Sequence, residues 1–141
     1  MQTKADTALN ALAEGYTAAW CSQRAASVAC FYSPNGSLRI NDATPAVGRD
    51  AIAAAAQEFM TAFPDLKVTF DGLSVAADRA VYYWTLTGTN SGPAGTGKRV
   101  HISGFEEWRI ADDGLIAESH GHFDTTEYLL QIGQGATPNG R

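Results

Sequence analysis

The chain has 141 residues, a formal charge of −5, 45% hydrophobic residues and only 18% charged ones. That is one domain's worth of sequence with enough apolar material for a core, and the acidic balance excludes the basic face that nucleic-acid binding requires. No apolar run approaches the roughly 20 residues that span a bilayer, and the N-terminus lacks a basic segment followed by an apolar one, so a cytoplasmic protein without a membrane partner is expected. Cys21 and Cys30 are too few for a disulfide framework and read as reduced, mostly buried thiols.

Ala5, Ala8, Leu9, Leu12, Tyr16, Ala19 and Trp20 recur at helical spacing and predict a first amphipathic helix. Thr3 or Asp6 is its expected cap. A short second helix fits residues 24–31, broken by Ser33-Pro34-Asn35-Gly36. Residues 37–40 read as a short strand and 41–45 as a loop. An alanine-rich third helix over 51–62 carries Ile52, Ala55, Ala56, Phe59, Met60 and Phe63 on its inner stripe, and Pro64 stops it.

From Leu66 the period changes to two. Strands are expected over 66–75 and 80–89, around a turn at Ala77-Asp78-Arg79. Two more follow over 98–110 and 115–124, joined by Asp112-Asp113-Gly114. The glycine-rich segment 90–97 reads as a flexible flap, and 125–132 as a last helical turn or two. The expected organisation is a single domain over 1–133 with a loose tail over 134–141. Helices followed by antiparallel strands make an α+β fold, with helices on one face of a bent, mostly antiparallel sheet. The concave space between them is a natural ligand site.

Four stretches bear a further likeness. They are Gly48-Arg49-Asp50-Ala51-Ile52; Phe63-Pro64-Asp65-Leu66; Tyr83-Trp84-Thr85-Leu86-Thr87-Gly88-Thr89-Asn90-Ser91-Gly92; and Asp113-Gly114-Leu115-Ile116-Ala117-Glu118, followed by Asp124 and by Leu129-Leu130-Gln131-Ile132-Gly133. Together they resemble the SnoaL-like polyketide cyclases of the nuclear transport factor 2-like superfamily. The resemblance implies a cone-shaped, cystatin-like α+β barrel and a pocket for a hydrophobic small molecule inside the cone. It also implies a homodimer through the sheet's outer face, and neither metal nor organic cofactor. Cyclases of the family close a ring by an intramolecular aldol reaction, with an aspartate near the end of the last long strand as acid/base group; here that position is Asp124. Many members carry histidine where this chain has Asn90, and tryptophan where it has His120.

His120, His122 and Asp124 alternate and therefore share one face of the last strand. If that face looks inward, Asp124 is the expected general base, its pKa lifted by an apolar pocket. Tyr16, Trp20, Phe31, Phe59, Trp84 and Phe105 are the expected aromatic walls. His122 or His101 is the expected proton donor, with Asn90 or a tyrosine as alternatives. His120 and the loop residue Asn41 complete the candidate substrate contacts. Asp124 is equally a good cap for the final helix. Glu106 and Glu107 adjoin, so one faces in and the other out.

The three histidines raise the question of metal. His-X-His on a strand is a zinc pattern, but His120 and Asp124 lie roughly 13 Å apart along a strand, and His101 stands roughly 10 Å or more from His122, so no metal is expected. Three functions remain open. The first is a cofactor-independent cyclase or isomerase acting on a carbonyl-bearing substrate. The second is a limonene-type epoxide hydrolase with two carboxylates bridged by Arg99 or Arg109. The third is a non-catalytic binding or interaction module.

Overall fold

The computed structural model describes residues 4–135, with side chains from residue 7 onward. Helix α1 (Lys4–Cys21) buries Leu9, Ala13, Tyr16 and Trp20, successive positions three or four apart on one stripe. The candidate cap Thr3 lies outside the described residues, and Asp6 lies within the helix. Helix α2 (Ala25–Ala29) is shorter than expected. Strand β1 (Tyr32–Ile40) begins earlier than the composition suggests. Ser33-Pro34-Asn35-Gly36 does not interrupt it but forms a bulge, where pairing jumps from Tyr32–Ile116 to Ser37–Glu118. A two-residue strand β2 (Ala46–Val47), unforeseen in the sequence, pairs on its edge.

Helix α3 (Arg49–Ala62) buries Ile52, Ala56 and Met60 and ends at an extended Phe63 before Pro64. Strands β3 (Lys67–Ala76), β4 (Arg79–Thr89), β5 (Arg99–Ile110) and β6 (Ile116–Phe123) follow, then helix α4 (Thr125–Gln134). The last helix extends one residue beyond the expected domain end, and the tail from residue 136 lies outside the described residues. The six strands run in the order β2-β1-β6-β5-β4-β3. All neighbours are antiparallel except β1 and β6, so the sheet is mixed and open. Helix α1 packs on β3, α2 on α3, α3 on β1, and α4 on β5. This is the α+β cone.

The core is aromatic where the helices meet the sheet. Tyr82 and Trp108 stack at 4.9 Å and 12°, and Tyr16 stands edge-on to Trp108 at 5.4 Å and 90°. The glycine-rich loop after β4 is held rather than loose. Buried Asn90 accepts from the Thr96 N–H at 2.9 Å and donates to the Ala62 carbonyl at 3.3 Å, clamping the loop to the end of α3. Both cysteines are exposed, not buried, although Cys21 donates to the Val68 carbonyl. Among the described residues no helix is long and apolar enough to cross a membrane.

Candidate active site

A pocket opens between the helices and the concave face of the sheet. Trp20 of α1, Phe59 of α3, Trp84 of β4, Phe123 of β6 and Tyr128 of α4 supply aromatic walls, and Glu106 of β5 supplies the one carboxyl among its lining residues. Its cavity volume is about 60 Å³. A water needs only about 10–15 Å³, so the cavity takes a small group or the reacting edge of a larger ligand.

Alternation along β5 explains how a carboxyl comes to be inside. Val100, Ile102, Glu106 and Trp108 share the buried face, whereas His101, Ser103 and Glu107 are exposed on the other. The Glu106 carboxylate is served by Tyr16 Oη at 3.0 Å, Trp108 Nε1 at 2.9 Å and Ser119 Oγ at 2.7 Å, all donating to Oε1. Among the described residues Oε2 meets only Tyr16, at 3.2 Å. Tyr16 Oη is in turn 2.8 Å from Tyr32 Oη, so the two hydroxyls form a chain ending on the carboxylate. Burial pushes the Glu106 carboxyl above the usual glutamate range, against the downward pull of its hydrogen bonds. Burial, aided by the nearby Glu106 charge, also raises Tyr16 and Tyr32 well above the ordinary phenol range, which keeps them protonated as donors. Oε1 thus accepts three hydrogen bonds, while Oε2 keeps more of its accepting capacity.

Trp84, one of the pocket walls, carries a buried Nε1 that has no hydrogen-bond partner among the described residues.

The structure redistributes the residues expected at the site. Trp20, Phe59 and Trp84 line the pocket. Tyr16 lies behind it, reaching it through Glu106. Phe31 packs edge-on to Tyr16 at 6.1 Å and does not line it. Asn90 clamps the loop described above. Asn41 ties three elements together: its side chain accepts from Phe123 N and donates to Thr125 Oγ1, and its backbone N–H donates to Gly121 O. His101 is exposed, its backbone bonded on both sides by buried Gln131 of α4.

The largest change concerns the last strand. His120, His122 and Phe105 lie on the outer face, not the pocket face; His122 pairs with Phe105 and His120 with exposed Glu107. Asp124 is exposed, and its Oδ1 accepts from Glu127 N at 3.0 Å, which makes it the N-cap of α4. The inward residues of β6 are Ser119, Gly121 and Phe123 instead. Asp124→Ala is therefore expected to cost about 1 kcal/mol of stability, the worth of a cap, and to leave turnover within a few-fold of wild type. Thermal melting and a rate assay on the same preparation check it. Lost turnover with an intact fold would return the acid/base role to Asp124.

The arginine-bridged acid pair of an epoxide hydrolase is absent from the described residues. Arg99 and Arg109 form surface pairs with Asp65 and Glu118, and the partners of Glu106 are all uncharged donors.

Among solved structures, a SnoaL-like protein of the polyketide-cyclase kind from Jannaschia sp. CCS1 superposes with a TM-score of 0.83 at 19% identity, covering 98% of this chain and 99% of that one. TsrD from Streptomyces laurentii gives 0.79 at 24% identity over 94% and 98% of the two chains. A protein with a ketosteroid isomerase-like fold from Catenulispora acidiphila, solved with trimethylamine, gives 0.77 at 15% identity over 86% and 92%. These likenesses speak for the fold. Comparison with curated proteins returns no match. The family model described as SnoaL-like polyketide cyclase matches residues 10–132. With that match spanning most of its length, the chain belongs to the SnoaL-like polyketide cyclase family.

Proposed function

We propose that the protein is an acid/base enzyme of the cyclase or isomerase type, acting on a hydrophobic carbonyl-bearing substrate with Glu106 as its proton-transfer group. The observation that carries this reading is a buried carboxyl in an otherwise apolar pocket, with one oxygen saturated by donors and the other nearly free. A carboxyl whose affinity for protons is raised by burial suits abstraction and return of a proton next to a carbonyl. In an aldol closure Glu106 Oε2 takes the proton α to one carbonyl. The resulting enolate carbon bonds to the second carbonyl carbon of the same molecule, and the alkoxide so formed takes a proton back. The donor assigned to the oxygen on which charge develops is the Trp84 indole N–H, which is buried without a partner among the described residues and meets that oxygen once the indole turns on substrate binding. A substrate larger than the cavity enters by its reacting edge.

A second reading, a binding module without chemistry, draws on the exposure of Asp124 at the residue where the family resemblance implies catalysis. A panel of carbonyl-bearing polyketide, steroid and terpene compounds separates the two. Turnover of a panel member by wild type is expected, and Trp84→Phe should lower kcat/KM by about 10²-fold, the cost of removing one such donor. Binding without turnover supports the module. Neither binding nor turnover of any member overturns both.

A further inference from the structure

Glu107 and the histidines of β6 are left unused by the pocket, on the opposite face of the sheet. One carboxylate oxygen of Glu107 and one ring nitrogen each of His120 and His122 all lie within 4.8 Å of one another. We propose that Glu107, His120 and His122 form a binding site for a single divalent transition-metal ion of the zinc class on the outer face of the sheet.

Strand geometry brings the three together. His120 and His122 are two apart on β6 and so project on one side, with ring centroids 4.0 Å apart. Glu107 is the residue of β5 directly paired with His120. The Glu107 Oε1 to His122 Nε2 distance is 2.7 Å. Tetrahedral bonds of about 2.0–2.1 Å place ligand atoms about 3.3 Å apart, a value between the 2.7 Å of the Glu107–His122 pair and the 4.8 Å that bounds the cluster, so side-chain rotations surround an ion without moving the strands. His101 and Asp124 stand too far along the strands to share an ion with His120 and His122; the third ligand comes instead from across the ladder.

Two further contacts prepare the histidines. His120 Nε2 lies 2.8 Å from the carbonyl oxygen of Asn41. A carbonyl only accepts, so Nε2 carries the proton, and Nδ1 of the neutral ring is left with a free lone pair. This is the outer-shell bond that metal-binding histidines commonly make. The ring of His122 is stacked on Phe105 at 4.7 Å and 24°, which restricts its orientation. Two imidazoles and a carboxylate are a donor set for zinc, cobalt or nickel rather than magnesium or calcium. Three protein ligands leave a fourth position for water or an anionic group. On binding, His122 Nε2 and the Glu107 carboxylate, now in contact with each other, turn to the ion instead.

The probes are Zn²⁺ by titration calorimetry and Co²⁺ by its visible absorption, on the full chain. One ion per chain is expected, with the absorption of a tetrahedral cobalt centre. His120→Ala, His122→Ala and Glu107→Gln should each weaken binding by at least about tenfold, while His101→Ala, a remote control on the same face, should not. Melting temperatures without metal should be close to wild type for all four. Absence of Zn²⁺ binding, or binding unchanged by the three ligand substitutions, reduces the cluster to a His122–Glu107 ion pair and overturns the proposal. Because the site faces away from the pocket, its failure leaves the Glu106 reading untouched.

Discussion

Glu106→Gln is expected to lower turnover by about 10²–10⁴-fold, the usual worth of a positioned acid/base group, while the protein stays folded. Glutamine keeps the length and shape of the side chain. Its carbonyl oxygen can occupy the place of Oε1, where Tyr16, Trp108 and Ser119 donate. Its amide nitrogen then stands where Oε2 was, beside Tyr16 Oη, which can accept from it. What the amide lacks is a proton that can be taken and returned. Glu106→Ala makes the contrast: three donors lose their acceptor in the core, at about 1–3 kcal/mol each, and the variant should melt far below wild type. The pH dependence gives an independent reading. Burial raises the carboxyl pKa in the folded state, so its contribution to stability is fully present below the unfolded-state pKa. That contribution is lost as pH rises through the folded-state value. The glutamine variant has no such loss and should gain on wild type as pH climbs through that window. Circular-dichroism melts across pH and a single-substrate rate assay test both parts. A Glu106→Gln enzyme that keeps wild-type turnover would remove Glu106 from the chemistry.

The parity of β5 was legible in the sequence. Val100, Ile102, Trp108 and Ile110 share the phase of Glu106, while His101, Ser103 and Arg109 share that of Glu107, so counting apolar residues would have placed Glu106 inside. The parity of β6 was not. Buried Ile116 is in phase with His120, His122 and Asp124, which invites placing all of them inward. Pairing runs Ile110 to Ile116 but Arg109 to Glu118, so Ala117 is an extra residue, a bulge. One added residue reverses the facing of everything after it. Ser119, Gly121 and Phe123 turn in, and the histidines turn out. No residue type near Ala117 announces that bulge; it follows from how β6 meets both β5 and β1. The long elements were readable because helical and two-residue periods are local, and β2 was not because two residues carry no period. Family resemblance pointed to the cone but put the acid at Asp124, where this chain has a helix cap.

Gly104→Ala is expected to cost about 3 kcal/mol, the upper end of ordinary overpacking, and roughly 10 °C in Tm for a chain of this size. Gly104 lies on β5 opposite Phe123. A Cβ there would stand 2.3 Å from the His122 carbonyl oxygen and 2.6 Å from Trp84 Cζ2. The first neighbour is backbone in the adjoining strand and moves only if the ladder moves. The second is a pocket wall held edge-on to Phe123 at 6.0 Å and 71°. Relieving the clash therefore displaces either the β5–β6 pairing or the indole whose N–H has no partner among the described residues. In both cases ligand affinity should fall together with stability. Gly121→Ala on the neighbouring strand is the matched control. It also lines the pocket, but its added methyl would meet the Glu106 Cγ at 3.6 Å, an ordinary contact. That variant should fold within about 1 kcal/mol of wild type, while its methyl takes up cavity volume beside the carboxyl. Equal melting temperatures and equal ligand affinity for Gly104→Ala and wild type would show that Trp84 and β6 do not close on this glycine. A stable Gly104→Ala that nevertheless loses ligand would place the whole effect on the indole.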